Sequence, residues 1–264
     1  MDIFYSLARY LDHCQGERFT KISLSLNAPG STALCTRELQ CKNITTLEYK
    51  YDGSMSGVHA NDPSTLKAIC DTAAMLSTLV SRRLRHLTFS GKSLAEYGAL
   101  DMMKLWGQRV PKLRRLADPN WVSTLETLSL INIELNKASV REMLQLSVKL
   151  RLVNVAFIED SIQIFEFPHR RRLRSVDVSG LILVADETIP RYDRAWVVGS
   201  EMEAAATVKK YGQHIREPLF LKNIPHVPPK DLERYILSGG PSPLRLDNMW
   251  TMPKYLALGN GYHQ

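Results

Sequence analysis

A six-residue phrase, apolar-x-x-apolar-x-apolar, recurs at least six times in this chain and restricts the fold more than any other feature. The copies are Phe19/Ile22/Leu24, Ile44/Leu47/Tyr49, Leu84/Leu87/Phe89, Leu125/Leu128/Leu130, Leu150/Val153/Val155 and Leu173/Val176/Val178. The last two apolar positions of each copy are two residues apart and share one face of a strand, while the residues beside them point the other way. The outward set is then Lys21, Ser23, Ser25; Thr46, Glu48, Lys50; His86, Thr88, Ser90; Thr127, Ser129, Ile131; Leu152, Asn154, Ala156; and Ser175, Asp177, Ser179. Most of these are small and polar, which suits an extended contact surface better than an enclosed pocket.

The segments between copies read as helices, which parallel strands require because each needs a crossover connection. Val140, Met143, Leu144 and Val148 lie at helical offsets and predict a helix within 136–149, with a capping box offered by Ser139 and Glu142. Asp62-Pro63 predicts a helix start running through Leu66, Ile69 and Cys70, and Met102, Leu105 and Trp106 suggest another. Residues 2–14 and 201–215 read as helical, and Pro229 opens a short helix that Gly239-Gly240 ends. The stretch 186–200, with Pro190, Arg191 and Asp193, reads as a long loop or boundary. Leu219/Leu221 and Leu244/Leu246 recur 25 residues apart and read as degenerate closing repeats.

The copies start at 19, 44, 84, 125, 150 and 173, so three of the five intervals (25, 25 and 23) have the length of a leucine-rich repeat and two (40 and 41) leave room for inserted helices or loops. The segments LRHLTF (84–89), LETLSLINIEL (125–135), ASVREML (138–144), LRLVNV (150–155), LRSVDVSGLIL (173–183) and LERYILSGGPSPLRL (232–246) resemble the leucine-rich-repeat region of fungal F-box-type proteins. The resemblance covers residues 15–183 and, more weakly, the tail. It implies an α/β fold: an irregular leucine-rich-repeat-like solenoid with a parallel sheet on one face and helices on the other. Residues 1–183 would form the repeat region with an N-terminal helical cap, and 184–264 the closing repeats and a C-terminal helix and loop extension packed on the same solenoid. It further implies a non-enzymatic protein-interaction module, a substrate-recognition or adaptor fragment. Only the first copy continues to the family's asparagine, Leu24-x-x-Asn27, so a continuous asparagine ladder is not expected. No F-box-like helical segment precedes the first copy, so docking to a ubiquitin-ligase scaffold is not carried over, and a shortened gene product is one reading of the chain.

Charge adds a second function class. Lys and Arg number 34 against 27 Asp and Glu, a net charge of +7, and two clusters concentrate it: Arg82, Arg83, Arg85 with His86, and Arg170, Arg171, Arg172, Arg174 after His169. Each directly precedes a strand copy, so stacking would bring them to one side as a basic patch for nucleic acid or an acidic protein. Neither is interleaved with the aromatic residues that base stacking uses.

The chemistry-bearing residues form no signature. Cys14, Cys35, Cys41 and Cys70 match neither a zinc spacing nor a secreted disulfide framework, and the seven histidines are dispersed. Ser64-x-x-Lys67 lacks the companion motifs of serine-lysine acylases, and Gly53 to Gly57 carries methionine where a nucleophile elbow needs serine. No catalytic residue, metal ligand or cofactor is assigned. Asp2 stands where a signal peptide needs positive charge, and no apolar run approaches a bilayer span, so an intracellular protein of the cytoplasm or nucleus, without a membrane span, is expected. The strand faces nominated for a protein partner are His86, Thr88, Ser90, Thr127, Ser129, Ile131, Asn154, Ser175 and Asp177.

Overall fold

The computed structural model describes residues 20–26, 45–51, 83–91, 100–101, 124–135, 137–167, 171–185, 194–212 and 225–251. Six strands form an all-parallel run, β1 (Lys21–Leu26), β2 (Thr46–Tyr51), β3 (His86–Ser90), β5 (Thr127–Leu135), β6 (Lys149–Ile158) and β7 (Ser175–Ala185), in the order β1-β2-β3-β5-β6-β7. A two-residue strand, β4 (Leu100–Asp101), pairs in parallel with the far end of β5. Two strands, β8 (Arg194–Val198) and β9 (Trp250–Thr251), complete the sheet in antiparallel pairing. The protein is thus α/β with a mixed sheet, and the expectation of a purely parallel one is corrected at β7. The loop expected over 186–200 is corrected too, because 194–198 is a strand. Pro190 and Asp193 dominated that reading, whereas Ala195, Trp196, Val197 and Val198 are all buried and need a two-sided apolar environment.

Pairing aligns the repeated phrase. Ile22, Leu47, Leu87, Leu128, Leu150 and Val176 are register partners in succession, at intervals of 25, 40, 41, 22 and 26 residues. Leu150 therefore takes the second apolar place of its copy, not the first. The shift puts Leu152 opposite Leu130 inside the core at 0% exposure, so it leaves the outward set, while Ala156 stays on the face opposite the core as register partner of Leu183 and is fully buried there. The cause is the short crossover: the helix α1 (Lys137–Gln145) has only nine residues, and the chain re-enters the sheet early. This helix starts at Lys137, so a capping box at Ser139 falls inside its first turn.

Strand alternation is interrupted at one level of the sheet. Asn132 (φ 54°), Asn154 (φ 48°) and Gly180 (φ 82°) are left-handed, a conformation that asparagine and glycine adopt most readily. Asn132 and Asn154 lie between matched pairs Ile131/Val153 and Ile133/Val155, and Gly180 with Leu181 stands opposite Asn154 across a bulge. In β5 and β6 the left-handed residue uses one place, so burial resumes on the same face: Leu128 and Leu130 are followed by Ile133 and Leu135, and Leu150 and Leu152 by Val155 and Phe157.

The core lies on that face, under α1, the 3-10 turn Gln163–Glu166 that follows α2 (Glu159–Ile162), and a C-terminal helix. Val140, Met143 and Leu144 come from α1, Ile164 and Phe165 from the turn. Each such side chain fully buried contributes about 1.5–3 kcal/mol. Among the described elements, α3 (Glu201–Gly212) covers the opposite face toward β8, its Ala204 buried alongside Leu181, Leu183, Ala195 and Val197. Ser200 and Glu203 start α3 with a reciprocal capping box: the Glu203 carboxylate accepts from the Ser200 backbone N–H at 2.7 Å, and Ser200 Oγ accepts from the Glu203 N–H at 3.3 Å. The Ser200 backbone N–H, and then the Ser200 hydroxyl, which donates to the same carboxylate at 2.8 Å, hold the Glu203 carboxyl below its ordinary value.

The last helix, α4 (Pro229–Ser238), has proline in its first turn and stops at Gly239 (φ 77°), as its sequence predicts. Leu232, Tyr235 and Ile236 face the core, and Tyr235 stacks edge-on with Phe165, which meets Phe157 in turn, at centroid distances of 5.9 and 5.7 Å. Leu244 and Leu246 are not strand positions: they border a short 3-10 turn, Leu246–Asn248, after Pro241 and Pro243, which offer no backbone donor to a ladder. Trp196 Nε1 donates to Arg245 O at 2.9 Å and ties this segment to β8.

Burial pushes the Tyr235 phenol up to about 12 from an ordinary 10. Above pH 10 the unfolded chain ionises this group while the folded chain keeps the proton, so its contribution is intact below pH 10 and is lost as pH rises toward 12. Urea unfolding measured at intervals from about pH 8 to 11 should show stability falling at the alkaline end. Tyr235→Phe should flatten that fall, and parallel curves for the two proteins would assign it elsewhere.

Candidate functional site

The face of the parallel strands opposite the core carries three rows of side chains, each set by register. The first is Lys21, Thr46, His86, Thr127, Lys149 and Ser175; the second Ser23, Glu48, Thr88, Ser129, Arg151 and Asp177. The third is Lys50, Ser90, Ile131, Val153 and Ser179, with Ser25 as the backbone register partner of Lys50 on β1. In β3 the alternation is complete, with Leu87 and Phe89 buried and His86, Thr88 and Ser90 half-exposed between them. Parallel pairing at about 4.8 Å per strand brings chemically similar residues from distant sequence positions side by side.

Polar contacts run across the rows. His86 Nδ1 and Thr127 Oγ1 are 2.7 Å apart on neighbouring strands. Lys21 pairs with Glu48 at 2.8 Å and Arg151 with Asp177 at 3.5 Å, and at the N-terminal edge of the strands Arg85 pairs with Glu126 at 3.5 Å. These side chains are 37–65% exposed, so the pairs fix local geometry more than stability. Among the described residues the partner of His86 is a hydroxyl.

Of the nominated partner-facing residues, the structure brings His86, Thr88, Ser90, Thr127, Ser129, Ile131, Ser175 and Asp177 onto this one surface. Asn154 is different. It lies at the left-handed level, and its Oδ1 accepts from the Leu181 N–H at 3.0 Å, so it ties β6 to β7. At the equivalent place Asn132 Nδ2 donates to Gly91 O at 3.0 Å, toward β3. Two asparagines thus bridge strands although they follow the last leucine by two residues, not by the family's three. Sequence reading for Leu-x-x-Asn overlooked them. It also overlooked Lys149, Arg151 and Val153, which the three-residue shift in β6 puts on the polar face in place of Leu152, Asn154 and Ala156.

The basic patch divides. Arg83, Arg85, Arg172 and Arg174 are exposed near the N-terminal edge of the strands, and Arg82 and Arg170 lie outside the described residues. Arg171 is corrected from patch to scaffold. Its Nη1 donates to Tyr235 O and Ile236 O at 2.9 and 2.8 Å, and its Nη2 to Phe165 O and Phe167 O at 2.5 and 2.7 Å. The guanidinium thereby clamps the C-terminal carbonyls of α4 and of the 3-10 turn, where backbone acceptors are left over and a cation is favoured. Desolvation lowers its pKa from the ordinary value.

The four cysteines, Ser64, Lys67, His214 and the helices expected at 2–14, after Asp62 and around Met102 lie outside the described residues, as do Leu219 and Leu221. Among the described residues no helix is long and apolar enough to cross a membrane. Comparison of the chain with protein-family models, with curated proteins and with solved structures finds no match.

Proposed function

We propose that this chain is a non-enzymatic protein-interaction module of the cytoplasm or nucleus, an irregular leucine-rich-repeat-like solenoid that presents its polar sheet face to a partner protein. One observation carries the reading: three register rows of mostly polar residues run across the parallel strands, while the described side chains on the opposite side of β2, β3, β5, β6 and β7 are buried leucine, valine, isoleucine and phenylalanine. Such a surface is extended, with its side chains spaced by the strand register, which fits a large partner. The phrase and its crossovers resemble the repeat region of fungal F-box-type proteins, and on that resemblance the chain is a substrate-recognition or adaptor fragment. The alternative, nucleic-acid association through 82–86 and 169–174, is weakened by Arg171, whose guanidinium is spent on four carbonyls, and by the Glu126 carboxylate beside Arg85.

Affinity purification from the native cell type, with nuclease treatment and a salt series, tests this. A single protein partner retained after nuclease, and lost when Thr88→Trp and Ser129→Trp are introduced together on the half-exposed face, is the expected result. Recovery of nuclease-sensitive, salt-labile material alone would overturn it in favour of nucleic acid, whose binding weakens steeply with salt.

A further inference from the structure

One serine stands apart from the strand faces. Among the chain's 13 prolines only Pro243 follows a serine or threonine, and Ser242-Pro243 is continued by Leu244 and the base Arg245. A kinase cleft that offers no acceptor to the backbone N–H after the reacting residue selects proline there, because proline has none to leave unpaired. An acidic subsite two places further on selects the arginine.

The fold presents this run in the form such a cleft takes. Residues 241–245 belong to no helix or strand, and Arg245 is extended, at φ −116° and ψ 159°. Gly240 and Pro241 are exposed, and a side chain built at Gly240 would meet no atom within 4 Å, so the segment leads away from the end of α4 into open space. Ser242 is half-exposed. Its Oγ accepts from the Leu244 N–H at 3.2 Å, and its hydroxyl hydrogen-bonds the Tyr235 phenol. The Arg245 side chain is exposed and, among the described residues, makes no ion pair. Thr88 and Ser129 of the sheet face differ, because their backbones are bonded into the ladder between two neighbouring strands, which keeps them from being gripped as a free extended chain.

We infer that Ser242 is a modification site, phosphorylated by a proline-directed kinase of the class that also reads a base three residues after the acceptor. The Ser242 Oγ attacks the γ-phosphorus of ATP held with magnesium in the kinase, and the bond from that phosphorus to the oxygen bridging the β-phosphate breaks. ADP leaves, and the hydroxyl proton passes to the kinase's catalytic carboxylate. The product carries a charge of about −1.5 to −2 where a neutral hydroxyl stood. Modification at Ser242 is independent of what the sheet face binds.

Incubation of the full chain with ATP, magnesium and a purified proline-directed kinase, followed by peptide mapping in a mass spectrometer, tests this. One phosphoryl group should be found, on Ser242, and none on Ser242→Ala. The initial rate should fall tenfold or more in Pro243→Ala and several-fold in Arg245→Ala, with thermal midpoints near that of the parent showing that both variants fold. The same phosphoserine should be present in the chain isolated from its native cells with phosphatase inhibitors. A folded chain left unmodified by a kinase that turns over a control substrate would overturn the assignment, as would labelling that persists in Ser242→Ala. Phosphate absent from Ser242 in chain isolated from both growing and arrested cells would overturn it too.

Discussion

Arg171→Ala is expected to destabilise the folded chain by about 3–5 kcal/mol, the larger of two structural effects foreseen here. The guanidinium meets four carbonyls, and each hydrogen bond to a charged donor contributes about 1.5–3 kcal/mol, with strong non-additivity among four bonds on one group. Truncation also leaves the C-terminal acceptors of α4 and of the Gln163–Glu166 turn without partners. At about 2–4 °C per kcal/mol for a chain of this size, the thermal midpoint should fall by roughly 6–20 °C. Arg171→Lys keeps the charge but not the planar fork, so it should recover less than half of the loss. Calorimetry on the three proteins checks this. A midpoint for Arg171→Ala within about 2 °C of the parent would mean that water replaces the clamp at little cost.

Gly180→Ala should cost about 2–4 kcal/mol. At φ 82° a side chain is strained by about 1–2 kcal/mol, and the new Cβ would overlap the carboxamide of Asn154. Asn154 cannot rotate away freely, because its Oδ1 satisfies the Leu181 N–H. Moving it leaves a backbone donor unpaired, worth a further 1–3 kcal/mol or so. A double-mutant cycle with Asn154→Gly separates the two parts, since removing the carboxamide relieves the overlap but not the strain. Denaturant titrations giving strictly additive losses would show that Gly180 is needed for its backbone angle alone.

The strand phrases were legible in the sequence because a two-residue apolar alternation beside a leucine has few other meanings in a folded chain, and β1, β2, β3, β5 and β7 follow it. The fifth copy misled because Leu150/Val153/Val155 satisfies the phrase in full, whereas the frame that the sheet uses, Ser147/Leu150/Leu152, has serine in its first apolar place. Arg171 looked like its neighbours because a run of arginines does not disclose which one faces two helix ends brought from residues 165 and 236. The helix read over 201–215 is present as α3, and its capping box Ser200-x-x-Glu203 is legible in the sequence as well, though the helical reading did not single it out. Most of the polar face was visible as a list, but its rows emerge only when register sets β3 beside β5 and β5 beside β6.

The antiparallel strand at the end of the array limits how such a chain can change in length. β8 occupies the free edge of β7, so another strand-and-crossover unit cannot be appended there without evicting it. Duplication of a unit, the ordinary way in which repeated architectures lengthen, is therefore confined to the positions before β7. A lineage built on this sheet would vary in unit number upstream while keeping the same terminal hairpin-like closure.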